Sequence, residues 1–400
     1  MHKFFSIFEN RFFLISFGLS LAAGMLVFFA IVLIFGAVND PDMEVFYEEE
    51  EPEYVLQIPM PDDWETEEPE SEDEFPYPTQ VSILTGIRIH EDDANRRPLA
   101  FVINNIRQAL PQSGITSADI VYEVLAEGDV TRLIAVFQSY IPEKIGSIRS
   151  ARDYFVDIAY NHDAIFIHHG GSPSGYSRIR STKITAMDGG QLEGRGIFWR
   201  DRTFPSWARE TGTRSSEHSS YTGREKIEEH IEANEIRYTT DNHPSFGFLF
   251  AVPADGQEEI LTANSANTAN IVRVPFSQNY VRTFVFDREE NVYRVENRDG
   301  EHRDAETEET VTVSNILIQL TRMHVIAGDE AGRRSVTTVG EGEGYLITNG
   351  AYVPVRWKKT AIDSPTFWTF QNGSPLTLTP GRTWICIFQH SGTVTFSIED

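Results

Sequence analysis

Hydrophobic and polar positions divide the chain into three textures. Residues 12–38 are apolar without a single charge, residues 39–80 hold no Lys or Arg but many Pro, and from Val81 onward short apolar runs alternate with polar turns. The first run exceeds the roughly 20 residues a helix needs to cross a bilayer. Lys3 and Arg11 precede it and acids follow it. The positive-inside tendency therefore puts residues 1–11 in the cytoplasm and the bulk of the chain outside. A cleaved signal peptide has a shorter apolar core and a small-residue cleavage site, so Phe12 to Val38 is predicted to be an uncleaved, single-pass plasma-membrane helix.

Beyond the second texture, Leu99–Ile103 reads as a buried strand ending in Asn104-Asn105. Asp119–Val124 alternates and Leu133–Phe137 is apolar, each short enough for a strand. Ser150 followed by Asp153 has the spacing of a capping box, and Tyr154, Phe155, Ile158 and Ala159 share a helical face, which places a helix start near Arg152. Ala164–His169 returns as a strand and breaks at Gly170-Gly171-Ser172-Pro173. This strand, helix, strand order predicts a parallel crossover and a mixed α/β domain over residues 81–256. Within it, residues 184–202 read as loop, Thr222–Asn234 as an amphipathic helix burying Ile227 and Ile231, and Pro244–Phe250 as an extended apolar segment. Over residues 257–400 the period becomes two. Asn279–Asp287 and Asn291–Val295 are predicted to pair, as are the segments flanking Asn349-Gly350 and Pro380-Gly381. A β-rich, mostly antiparallel domain is expected there.

Charge is unevenly spread. Of the net −26, residues 39–80 contribute −17 and residues 1–38 contribute +1, which leaves −10 for the remaining 320 residues. An acidic, Pro-rich stretch repels itself and buries little, so residues 39–80 read as a disordered tether. Nucleic acid is excluded as a partner for so acidic a chain. The single cysteine, Cys386, allows neither an intrachain disulfide nor a thiolate metal cluster.

The chemistry concentrates between Arg97 and Ser174. A helix starting at Arg152 would present free backbone donors to an anion, with Arg149 and Arg152 beside them. Arg132, Arg149, Arg152, Arg178, Arg180, Arg195, Arg200 and Arg202 crowd one acidic domain, and forked guanidinium groups grip carboxylate or phosphate. The ligand-binding set is Arg132, Ser147, Arg149, Ser150, Arg152, His168, Gly170, Gly171 and Ser172. Against it stands internal pairing of the arginines with Asp119, Glu123, Glu127, Asp129, Asp153 and Asp188. His168-His169 could move a proton, but adjacent strand residues face opposite ways, and without a His-Glu-x-x-His helix no metal is expected. No P-loop, dinucleotide fingerprint or nucleophile elbow is present, so no cofactor is expected either.

Arg97-Pro98-Leu99-Ala100, Pro111-Gln112-Ser113-Gly114, Ala118–Glu123, Ile145–Arg152, and His168 with Gly170-Gly171-Ser172-Pro173 are separate motifs that, in this order, resemble the YerB-type lipoprotein family, the domain of unknown function 3048. Gly342–Gly350 and Leu378–Ile385 resemble the same family's C-terminal domain. The resemblance implies a bacterial, membrane-attached, outward-facing protein of two domains and assigns no activity. Two departures stand out. No cysteine follows a short signal segment, so the expected attachment is the membrane helix and not an N-terminal lipid. Where the family motif reads Tyr-Thr after Pro-His-Asn, this chain has Glu217-His218-Ser219-Ser220-Tyr221-Thr222. The expectation is a non-catalytic binding protein of the cell envelope that recognises an anionic wall-related ligand or a wall synthesis or remodelling protein. The alternatives are a wall-directed hydrolase or transferase using Asp119, Glu123 or His168, and a structural assembly factor.

Overall fold

Three runs that are apolar end to end form the centre of the fold. In the computed structural model, which describes residues 79–240, 248–251, 260–262 and 264–398, Leu99–Asn104 forms β1, Ile120–Leu125 β2 and Thr131–Phe137 β3, each buried along its whole length. Strands covered on both faces read as continuous apolar runs, which is why these were visible in the sequence. The membrane segment and nearly all of the tether lie outside the described residues. Among the described residues no helix is long and apolar enough to cross a membrane.

Asp153–Ala159 forms α1, Ile165–His168 β4, Pro173–Thr182 α2, Ala186–Asp188 β5 and Arg224–Ala233 α3, the last burying Ile227 and Ile231 as expected. The expected capping box is not made. Arg152 is the residue before α1 and no side chain caps that end, while the Ser150 carbonyl accepts from Arg132 and Arg152. The parallel crossover also lies one helix further along than expected. β4 and β5 are parallel with α2 between them, whereas β3, the apolar strand that precedes α1, is antiparallel to β1, and β1 is parallel to β4. α2 escaped notice because it is largely polar; its start is fixed by Ser172, which accepts from the Gly175 amide at 3.0 Å, and by Pro173 in its first turn.

The C-terminal region is strand-rich and mostly antiparallel. It supplies β6 (Asn267–Thr268), β7 (Ile271–Pro275), β8 (Val281–Asp287), β9 (Val292–Asn297) and β10 (Gly300–Glu301). It continues with β11 (Asn315–Thr321), β12 (Gly340–Thr348), β13 (Ala351–Lys359), β14 (Phe367–Phe370), β15 (Thr383–Gln389) and β16 (Thr395–Ser397). β8 pairs with β9 as expected, and β12 turns into β13 through Asn349 and Gly350, both at positive φ. The segments flanking Pro380-Gly381 do not pair with each other. Asn315 captures the Thr379 amide at 3.0 Å, Thr377–Leu378 pairs with Leu249–Phe250, and β15 passes into the main sheet.

That sheet has 11 strands in the order β6-β13-β12-β11-β15-β2-β3-β1-β4-β5, with β14 also on β13. β15 is parallel to both neighbours, β11 and β2, so the sheet runs unbroken from N-terminal to C-terminal residues. One face of its centre meets the α1 region, where the Tyr122 hydroxyl lies 2.8 Å from His162 Nε2 and the Tyr154 hydroxyl donates to the Leu125 carbonyl at 2.9 Å. The other face is covered by a second, six-stranded sheet, β10-β9-β8-β7-β16 with Thr312–Val313 on β9. Phe284 and Phe276 of that sheet meet Trp384 and Phe388 of β15 edge to face.

Candidate functional site

The structure gathers the sequence-predicted ligand set into one place. The segment 147–152 runs from the end of β1, where the Arg149 amide donates to Val102, to the loop after β4, where the Ala151 amide donates to Gly170 and the Ser172 amide to Ala151. Its guanidinium groups are turned to internal partners. Arg132 and Arg152 converge on Glu127, Arg152 Nε lying 3.0 Å from one carboxylate oxygen and Arg132 pairing with the other. Burial raises the Glu127 carboxyl pKa, but the two arginines outweigh it and hold it below its ordinary value. Arg149 donates to the Glu217 carbonyl at 3.0 Å. Burial pulls the Arg132 guanidinium down to about 10. His168 is buried, lies 2.8 Å from the Gly170 carbonyl through Nδ1, and has its pKa lowered by that burial. Gly170 gives its amide to Asp188, Ser172 caps α2, and the Ser147 hydroxyl is buried without a partner among the described residues. Of the other arginines, Arg178 pairs with Asp157, Arg200 with Glu193, and Arg202 donates to the Arg214 carbonyl, while Arg180 and Arg195 are exposed.

The three candidate acid–base groups do not meet. Asp119 precedes β2 and accepts the Gln138 and Ser139 amides at 2.6 and 2.9 Å; burial raises its pKa. Glu123 is four residues away, roughly 13 Å along the strand, and His168 stands three strand spacings across, roughly 14 Å.

A cleft opens instead where the second sheet leaves the first. A cavity of about 440 Å³ lies between the loop after β1 and the β8–β9 ends, and one of about 160 Å³ adjoins it beside Trp207. The floor of the larger is an ion pair between Glu123 of β2 and Arg282 of β8, each side chain only 2% exposed. Arg282 Nε is 2.7 Å from Glu123 Oε2, and its Nη2 is 3.2 Å from Oε1. Asn105 and Thr131 donate to the same Oε1 at 3.2 and 2.8 Å. Both carboxylate oxygens are thus occupied. Arg282 Nη1 also donates to His302 Nδ1 at 3.0 Å, and His302 Nε2 lies 2.7 Å from Gln112 Oε1. Gln112 uses its own amide protons on Asn104 and Asn105, so its oxygen must accept, and His302 is neutral with its proton on Nε2. Burial drives the His302 pKa well below the ordinary value, in keeping with that form.

The cleft walls hold five arginines, Arg107, Arg209, Arg282, Arg298 and Arg303, against the four acids Glu123, Glu210, Asp299 and Glu301. Arg107 bridges Glu210 at 2.9 Å and Asp299 at 3.7 Å, and Arg209 holds Asp299 at 2.8 Å. Among the described residues neither Arg298 nor Arg303 has a carboxylate partner. Arg298 donates to Asn279 Oδ1 at 3.0 Å, and Arg303 lies 4.8 Å over the Trp207 ring while its Nε donates to the Glu308 carbonyl. An arginine-lined cleft therefore exists, built from arginines other than those singled out in the sequence. Only Arg282 left a readable signal, a charge on the same strand face as Phe284 and Phe286.

The description of the N-terminal domain of a protein of unknown function, DUF3048, matches residues 84–237, and that of its C-terminal domain matches residues 272–385. In sequence the chain is similar to a protein of Bacillus subtilis (strain 168) named "Putative lipoprotein YerB", with 34% identity over 308 residues covering 76% of this chain and 85% of the other. In structure it is similar to the crystal structure of the YerB protein from Bacillus subtilis, with a TM-score of 0.67 and 30% identity, over 80% of this chain and 100% of that one.

Proposed function

The chain belongs to the DUF3048 family, and from that premise we propose that it is an extracytoplasmic, envelope-associated protein that binds an anionic, wall-related ligand without transforming it. The lipoprotein name of its relative supports the outer side of the membrane, and the uncharged run Phe12 to Val38 supports a single-pass anchor with the N-terminus inside. The observation that carries the ligand class is the cleft. Its about 440 Å³ falls in the range of small-molecule sites, about 300–1,000 Å³, and its walls carry an excess of guanidinium in a chain of net charge −26. Binding without turnover is supported by Glu123, whose two oxygens are committed to Arg282, Asn105 and Thr131, and by the separation of Asp119 and His168 from it.

The test is thermal unfolding of the full chain in detergent micelles, scanned against muropeptides, lipid-linked wall precursors and glycerol-phosphate oligomers. A ligand of the folded state raises the midpoint with its concentration. The expected result is such a rise with an anionic fragment, lost in Arg298→Gln, a variant whose unliganded midpoint matches wild type because Arg298 is exposed. A rise that survives Arg298→Gln and vanishes in Arg149→Gln would transfer the site to the segment 147–152. Indifference to every fragment would remove the small-ligand reading and leave a protein partner of the envelope.

A further inference from the structure

We infer that the ligand of the cleft is an extended molecule with two anionic groups, one held by Arg298 in the larger chamber and one by Arg303 in the smaller, and that Arg107 leaves its acids to let the ligand span both. This rests on the cleft being the binding site. The two chambers share a wall made of Arg107, Leu110, Asn297 and Asp299. The closing part of that wall is side chain, not backbone: Arg107 reaches across to Glu210 and Asp299, and Arg209 to Asp299. Arg107 and Arg209 are mostly exposed in these pairs, and exposed ion pairs are weakly held and screened by salt. An incoming anion offers Arg107 an equivalent partner, so the wall exchanges one pair for another.

Each chamber keeps one guanidinium without a carboxylate among the described residues. Arg298 lies in the turn of the β9–β10 hairpin, whose register sets Asn297 opposite Gly300, and Arg303 follows Gly300 by three residues, roughly 10 Å of extended chain. A single small anion satisfies one of these groups and strands the other. An elongated dianion satisfies both, and the Pro111, Trp207 and Ala208 side of the smaller chamber accepts an apolar stretch between its charges. Carboxylate and phosphate share this chemistry.

Titration calorimetry of the full chain in detergent micelles, with oligo-glutamates and glycerol-phosphate oligomers of graded length, separates the two sources. The series that contains the natural chemistry should gain about tenfold in affinity once its members reach both arginines, the equivalent of one added charged contact. Arg303→Gln and Arg298→Gln should each abolish that gain with length. Fluorescence of Trp207, read as the difference from Trp207→Phe, should respond only to the longer members. Binding that is flat with length in both series overturns the two-anion inference and leaves the single-chamber reading standing. Failure of every member to bind overturns both.

Discussion

Replacing Arg282 by Met removes the cation from the floor of the cleft while keeping an unbranched side chain in its space. The guanidinium now makes contacts to Glu123 at 2.7 and 3.2 Å, to the Glu296 carbonyl at 3.2 Å and to His302 at 3.0 Å, all in a site 2% exposed. In the variant Glu123 stays buried with Asn105 and Thr131 as its donors. Deleting one partner of such a pair costs about 3–5 kcal/mol, because the surviving charge is stranded. Urea unfolding of the full chain in mild detergent, followed by tryptophan fluorescence and far-ultraviolet circular dichroism, measures the loss. The double variant Glu123→Met with Arg282→Met has no stranded charge and should cost at least about 2 kcal/mol less than the two single variants added together. A single-variant loss under about 1 kcal/mol, or strict additivity in the cycle, would refute the reasoning and mean that water reaches the pair.

Three further outcomes follow from the same structure. Glu127→Gln leaves Arg132 and Arg152 beside a neutral amide and should cost about 1–3 kcal/mol, discounted because Glu127 is 25% exposed; added phosphate should recover part of the melting midpoint in the variant but not in wild type, and equal responses would sink the idea. Lys359 is buried with Nζ 2.8 Å from Asn161 Oδ1, and burial pushes its pKa down to about 8. Unfolded lysine titrates near about 10.4, so between those values the unfolded chain binds the extra proton and Lys359 makes stability rise with pH; a rise unchanged in Lys359→Met would assign it to another group. Gly146 has φ +155°, and a Cβ there would sit 2.6 Å from the Tyr221 ring and 2.8 Å from the Ser220 carbonyl, so Gly146→Ala should lower stability by more than about 2 kcal/mol, and an unchanged melting midpoint would contradict that geometry.

What could be read in advance was what local pattern encodes. Leu99–Ile103 and Leu133–Phe137 were legible because both faces of their strands are buried, and Asn349-Gly350 because its turn demands two positive φ angles. α2 was not, because Arg178 and Arg180 sit in a helix that buries little beyond Gly175. The arginines that stood out in the sequence are the internally paired ones, and those of the cleft did not stand out. Arg132 and Arg152 have an acid within reach of the β2–β3 turn, whereas Arg107 and Arg298 gain their meaning only when segments far apart in sequence meet across the cleft. Trp384–Phe388 reads as a buried run in isolation, but nothing within it announces β2 as a neighbour.

The position of β15 dictates when the protein can become itself. Every other strand near the middle of the large sheet precedes Thr383–Gln389 in the chain, yet those seven residues fill the gap between β2 and β11. Until they are in place the chain displays two apolar edges, and unpaired edges of that kind recruit other chains. A product terminated before Thr383 keeps both edges open for its whole lifetime. A chain that lacks this keystone is thus an aggregation hazard where the closed sheet is not.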